Sequence, residues 1–196
     1  MELLTRADES VFLWLNGWVG RFPALDAIAR LTISDYLVPV VLSLILLGLW
    51  FAGRTSALRE RNQRGVMTAL LGLALANLMV EAFNQVLFRP RPFSELEVSL
   101  LFYQPTDSSF PANPAALGFA IATGVWLWNR KAGSAMLVMA AAYSIARVYA
   151  GVFYPLDVIG GAAIGTLVSL VAALVLRLAE PVPSRALRFA RSLYLA

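Results

Sequence analysis

Five apolar stretches limit what this chain can become: Tyr36–Phe51, Val66–Phe88, Ala112–Trp128, Gly133–Tyr149 and Pro155–Leu176. Each approaches the ~20 residues needed to cross about 30 Å of hydrocarbon. Inside a bilayer the backbone finds no water to bond, so such stretches must satisfy their own peptide groups as helices. Composition agrees, with 59% of residues among AVILMFWYC and only 14% charged, where an ordinary soluble domain carries about 25%. The expectation is a single membrane domain over residues 1–196, an all-α polytopic bundle of five spans with an interfacial helix at each end. "DESVFLWLNGWV" (Asp8 to Val19) sets Val11, Trp14, Leu15 and Trp18 on one helical face. That face suits either the membrane interface or the edge of the bundle. Ser184 to Leu195 is short and studded with arginines, and Pro181 and Pro183 set it apart from the last span.

Charge gives an orientation. Arg54, Arg59, Arg61 and Arg64 precede the second span, Arg130 and Lys131 follow the third, and Arg177, Arg185, Arg188 and Arg191 follow the fifth. Five spans put these regions on one side, which the bias of basic loops makes cytoplasmic. The expected location is the bacterial inner membrane, with Arg89–Pro111 and Gly151–Pro155 on the extracytoplasmic side. The N-terminus lacks the basic start and cleavage site of a signal peptide. No basic stripe with interleaved aromatics points to nucleic acid.

Two stretches on the expected outer side carry the unusual chemistry. "NQVLFRPRPF" (Asn84 to Phe93) alternates arginine with proline, which disfavours continued helix. "ARVYAGVFYPLDVIGG" (Ala146 to Gly161) buries Arg147 in an apolar span, where a central charge costs at least about 2.5–3.5 kcal/mol. Asp157 lies just inside the next span. One reading is a structural Arg147–Asp157 ion pair. The other is an anion pocket lined by Arg91 and Arg147, with Arg89 as a further contributor, since the guanidinium fork matches phosphate oxygens. Residues alone leave both open.

These blocks resemble the phosphatidic acid phosphatase type 2 superfamily, which also contains bacterial polyprenyl-diphosphate phosphatases and vanadium haloperoxidases. The family carries K-x6-R-P, then P-S-G-H, then S-R-x5-H-x3-D. Here the blocks read "NQVLFRPRP", "PANP" and "ARVYAGVFYPLD", in order and at span ends. The flanking "SFP" and "DVIGG" are similar too, and the resemblance covers about residues 66–176. It implies a lipid-phosphatase bundle whose phosphate pocket holds Arg91, Arg147, Arg89, Asn84, Asn113 and Asp157. The family's lysine falls on Asn84. Its serine, glycine and first histidine fall on Ala112, Asn113 and Pro114, and its nucleophilic histidine falls on Phe153.

The sequence contains neither histidine nor cysteine. Losing a nucleophile can cost on the order of 10⁶ in turnover, by analogy with a serine protease. The expectation is therefore a catalytically inactive relative with no catalytic residue, metal or cofactor, which binds a lipid phosphate or serves as a scaffold in a membrane-protein complex. Two alternatives stay open: a lipid-phosphate carrier, and a phosphatase that uses other residues. Glu81, in the second span, would pair with an arginine or neutralise the pocket. Tyr149 and Tyr154 are expected to pack. Gly161 and Gly165, at G-x-x-x-G spacing, allow close helix approach within the bundle. Leu100, Leu101, Phe102 and Tyr103 make their loop too apolar for water, so it covers the pocket, lies on the membrane or meets a partner.

Overall fold

Small residues decide the architecture. The computed structural model describes residues 2–192 of the 196. Along them run α1 (Glu2–Asn16), α2 (Pro23–Thr32), α3 (Leu37–Phe51), α4 (Ser56–Val86), the single turn α5 (Pro92–Glu95), α6 (Asn113–Trp126), α7 (Arg130–Tyr149), α8 (Pro155–Leu178) and α9 (Val182–Ser192). No strand occurs among the described residues. Helix α6 (NPAALGFAIATGVW) is the axis, packed against α4, α7 and α8. Pro114 near its start supplies a φ already suited to a first helical turn. Its Ala, Gly and Thr side chains let three neighbours approach closely.

The approaches are backbone to backbone. A Cβ on Gly161 or Gly165 of α8 would press on the carbonyl oxygens of Ala112 and Ala116, and one on Gly124 of α6 would meet the backbone of Ala69 on α4. The Gly161/Gly165 pair is thus spent inside the bundle. Further along α8, Ser169 Oγ donates to the Ala120 carbonyl at 2.6 Å, beside Gly72 of α4. Helix α4 buries Asn62, Gly65, Ala69, Gly72, Ala76 and Val80, a recurrence every three or four residues that marks one face.

By length and composition, fewer than the five expected spans are candidates. Helices α4, α7 and α8 are long and apolar enough to cross a membrane, and α2 with α3, bent by 53° at a short break, makes a fourth candidate. The 14 residues of α6 rise only about 21 Å, short of the hydrocarbon thickness. The physical reason is its position: protein covers α6 on its sides, so its apolar character answers to neighbouring helices and not to lipid. Hydropathy cannot distinguish the two surroundings.

The basic regions do gather at one end. Arg64 bonds Glu180 and Ser184, lies over the Trp128 ring, and sits near the Asn129–Asn62 hydrogen bond. At the other end, α1 packs through Asp8, Phe12 and Asn16, which are buried, while Val11, Trp14 and Trp18 stay exposed. The apolar face singled out in the sequence is thus the outward one. Helix α9 buries Leu187 and exposes Phe189. The interfacial helix expected over 184–195 extends past residue 192, and its last three positions lie outside the described residues.

Gly165→Leu should lower thermal stability in detergent by about 1–3 kcal/mol, because inserting a side chain there displaces backbone and not a flexible neighbour. Gly48→Ala, where an added Cβ meets nothing within 4 Å, should not lower it. Equal melting temperatures for Gly165→Leu and the parent would refute the close-packed axis.

Candidate active site

Prolines build the first half of the site. Pro90 and Pro92 hold the chain extended after α4 ends, with Arg91 at φ −83°, ψ 155°, and so turn Arg91 back under the bundle. Its side chain is 4% exposed. Nε donates to the Asp107 carbonyl at 3.0 Å, Nη2 to Asp107 Oδ1 at 2.9 Å, and Nη1 to the Val152 carbonyl at 3.3 Å. The guanidinium lies 4.3 Å from the centre of the Phe153 ring. Burial holds Arg91 below its ordinary pKa, the charge of Arg147 adds to that, and Asp107 opposes it.

Helix α7 supplies the second half. Arg147 is buried, and its Nη2 donates to Asp35 Oδ1 at 2.6 Å and to the Tyr143 hydroxyl at 2.7 Å. Tyr143 precedes it by four residues, the helical spacing that stacks two side chains on one face. Arg147 also lies 4.4 Å from the centre of Phe102. Its Nε is buried with no partner, as is Oδ1 of Asn113. A desolvated donor and acceptor left open in this way each cost roughly 1–3 kcal/mol.

Both guanidinium groups line a cavity of about 350 Å³. Its polar end holds Asp35, Arg91, Tyr103, Asp107, Asn113 and Arg147. Its apolar end is formed by Val38 and Leu42 of α3, Leu73 of α4, and Leu117 and Ile121 of α6. Pro114 and Phe153 complete the wall. The loop carrying Leu100 to Tyr103 covers this region: Leu100, Leu101 and Phe102 pack on Phe153 and its neighbours, and Tyr103 faces the cavity. Burial, then Asp35, raises the Tyr103 hydroxyl pKa.

A second polar network lies beside the cavity. Asp157, fully buried, binds Arg89, Ser109 Oγ and the Tyr154 backbone N–H. Arg89 reaches on to Asp8 at 2.8 Å, and Asp8 accepts from the Leu156 backbone N–H at 2.8 Å. The Arg147–Asp157 pairing read from sequence is not made, because Asp35 and Asp107 satisfy the cavity arginines and Arg89 satisfies Asp157. Of the expected pocket residues, the structure brings Arg91, Arg147 and Asn113 together. Arg89 and Asp157 meet one another outside the cavity lining, and Asn84 is not part of that lining. Glu81 sits on the exposed side of α4 and accepts from Gln85 at 3.2 Å. Tyr149 bonds Asp26, and Tyr154 packs on Phe12 and under Arg89.

Sequence reasoning missed Asp35, Asp107 and Tyr143, and named Tyr103 only as part of a loop with covering the pocket as one option. Tyr143 was findable from its helical offset to Arg147. Asp35 and Asp107 sit in loops where spacing carries no such signal. No group of three or more acidic side chains among the described residues has the geometry of a metal site.

The sequence pattern of the PAP2 superfamily matches residues 65–180. The chain belongs to that superfamily. It is 28% identical over 158 residues to undecaprenyl-diphosphatase BcrC of Bacillus subtilis, covering 81% of this chain and 78% of that protein. Among solved structures it is similar to Aquifex aeolicus LpxE, with a TM-score of 0.66 and 28% identity over 83% of this chain and 92% of the other. A PAP2-type phosphatidylglycerolphosphate phosphatase from Bacillus subtilis shares the fold at 20% identity and a TM-score of 0.63, covering 93% and 90%. Together with its long apolar helices, this makes the chain an integral membrane protein.

The expectation of a catalytically inactive protein, whether scaffold or binder, is corrected by this kinship. A relative aligned with most of the chain is named as a diphosphatase. The error lay in equating phosphoester chemistry with imidazole. Carboxylates also attack phosphorus or activate water, and two partly exposed ones stand at the arginines. Pro114 and Phe153, on which the resemblance places the family's histidines, both stand in the cavity wall.

Asp157→Ala should destabilise the protein by about 1–3 kcal/mol, since it takes one of two carboxylates from Arg89 and leaves Ser109 Oγ and the Tyr154 backbone N–H without their acceptor. Asp107→Ala should cost less, because the Asp107 side chain is 54% exposed. Comparing their unfolding in detergent checks the assignment of Asp157 to structure; equal losses would overturn it.

Proposed function

We propose that this protein hydrolyses a membrane lipid carrying a diphosphate. It would act as a single membrane domain of the bacterial inner membrane, with the cavity on the extracytoplasmic side. The orientation is supported by the gathering of Arg64, Arg130, Lys131 and Arg177 at the end away from the cavity. The observation that carries the reading is the amphipathic cavity: two desolvated guanidinium groups at one end, a slot of Val, Leu and Ile side chains at the other. A lipid phosphate has this same polarity. The name of the Bacillus subtilis relative supports a polyprenyl diphosphate as the substrate class.

In this reading Arg91 and Arg147 hold the phosphoryl oxygens and offset the charge that builds on them in the transition state. The open Nε of Arg147 and Oδ1 of Asn113 offer one donor to a phosphoryl oxygen and one acceptor to a water. Asp35 or Asp107 takes a proton from the water that attacks the terminal phosphorus. The P–O bond to the rest of the lipid breaks, and inorganic phosphate leaves. A diphosphate suits a site without imidazole acids, because its leaving group is a phosphate that departs without first being protonated. Arg89, Asp157 and Asn84 serve as surrounding structure.

Purified protein in detergent should release inorganic phosphate from a polyprenyl diphosphate. Arg147→Ala should lower kcat/KM by about 10²–10³, the scale of losing one preorganised donor. Asp35→Asn and Asp107→Asn, assayed separately, identify the base as the one whose loss is greater. A contaminant-free preparation that binds the diphosphate and releases no phosphate would defeat the reading and favour a carrier.

A further inference from the structure

Tyr143 has no part in the hydrolysis described so far, yet its hydroxyl sits at the polar end of the cavity. It is an acceptor there: Arg147 Nη2 donates to it at 2.7 Å. Its own proton is therefore free of that bond, and among the described residues it makes no hydrogen bond of its own. The same nitrogen donates to Asp35 Oδ1 at 2.6 Å. One guanidinium nitrogen thus holds a phenol and a carboxylate side by side, with Tyr143 buried and the Asp35 side chain 45% exposed. The two differ in chemistry and exposure: the half-solvated carboxylate can only accept, while the buried phenol carries a hydrogen that Arg147 leaves free.

We infer that Tyr143 is a general acid, the proton donor to the departing lipid oxygen wherever that oxygen leaves as an alkoxide. The inference rests on the hydrolase reading. A monoester leaves as an alkoxide, which is strongly basic and needs a proton as the P–O bond breaks. The step balances within the site. Water adds its oxygen to phosphorus and gives a proton to Asp35. The lipid oxygen keeps the P–O electron pair and takes the phenolic proton of Tyr143. The tyrosinate that results is stabilised by Arg147 until the proton on Asp35 returns to it. Each turnover ends with both groups as they began.

The test separates leaving groups. Parent and Tyr143→Phe are assayed in detergent with decyl phosphate, whose leaving group is an alkoxide, and with 4-nitrophenyl phosphate, whose leaving group needs no proton. Tyr143→Phe should lower kcat for decyl phosphate by about 10²-fold or more and change that for 4-nitrophenyl phosphate by less than about threefold, a smaller factor than a general acid supplies. Equal losses on the two substrates would assign Tyr143 to positioning Arg147 and overturn the inference while leaving the hydrolase reading intact. A parent enzyme that cleaves a polyprenyl diphosphate but not decyl phosphate overturns it as well. A parent with no turnover on any of the three removes both. Should Tyr143→Phe fold poorly, the parent alone decides: across substituted phenyl phosphates, kcat nearly independent of leaving-group basicity supports an acid, and a steep fall with basicity refutes it.

Discussion

A guanidinium group withdrawn from water needs its donors occupied and its charge answered, and this site contains two of them. Arg91 and Arg147 each meet that demand with one carboxylate, one aromatic face and further oxygen acceptors. The solution is incomplete by design of the chemistry: the carboxylates remain half in solvent, and Arg147 keeps a donor unfilled. Full internal pairing would leave no attraction for an incoming anion. Absent pairing would make the burial too costly to fold. The cavity lies between those limits, and in the proposed hydrolysis the carboxylates that compensate the arginines are also the groups that take up a proton.

The scaffold serves that balance through helix α6. Its first turn places Asn113 and Pro114 in the cavity wall, and its small side chains let α4, α7 and α8 close around it. Arg147 reaches the cavity because α7 lies tight against this axis, where a Cβ at Gly118 of α6 would touch Ala140 of α7 at 3.2 Å. Phe153 then gives Arg91 a ring to lie on, a cation–π contact in the cavity wall.

Much of the frame was legible in the sequence. The helical membrane class followed from apolar runs and sparse charge, and Arg91 with Arg147 followed from the cost of placing arginine there. Three kinds of information were not legible. The number of crossings was not legible at α6, since apolar residues read alike whether lipid or protein covers them. The partner of each arginine failed because Asp35 and Asp107 lie in loops without periodicity, and the helical period of α1 gives Asp8 a face but no partner 81 positions away. The outcome for activity failed because a missing residue type was treated as a missing reaction. The face of α1 also misled: its tryptophans mark the side turned outward, while Asp8, Phe12 and Asn16 do the packing.

The bond from Leu156 N–H to Asp8 joins residues 148 positions apart, and Arg89 ties both to Asp157. This has a bearing on biogenesis. As the chain emerges from the ribosome and enters the membrane, α1 and the loop after α4 arrive long before the start of α8. Until that last long helix is inserted, Asp8 and Arg89 have only each other. The wall beside the cavity is therefore sealed only once the start of α8 arrives, and a chain cut before it would carry the earlier helices without the finished site.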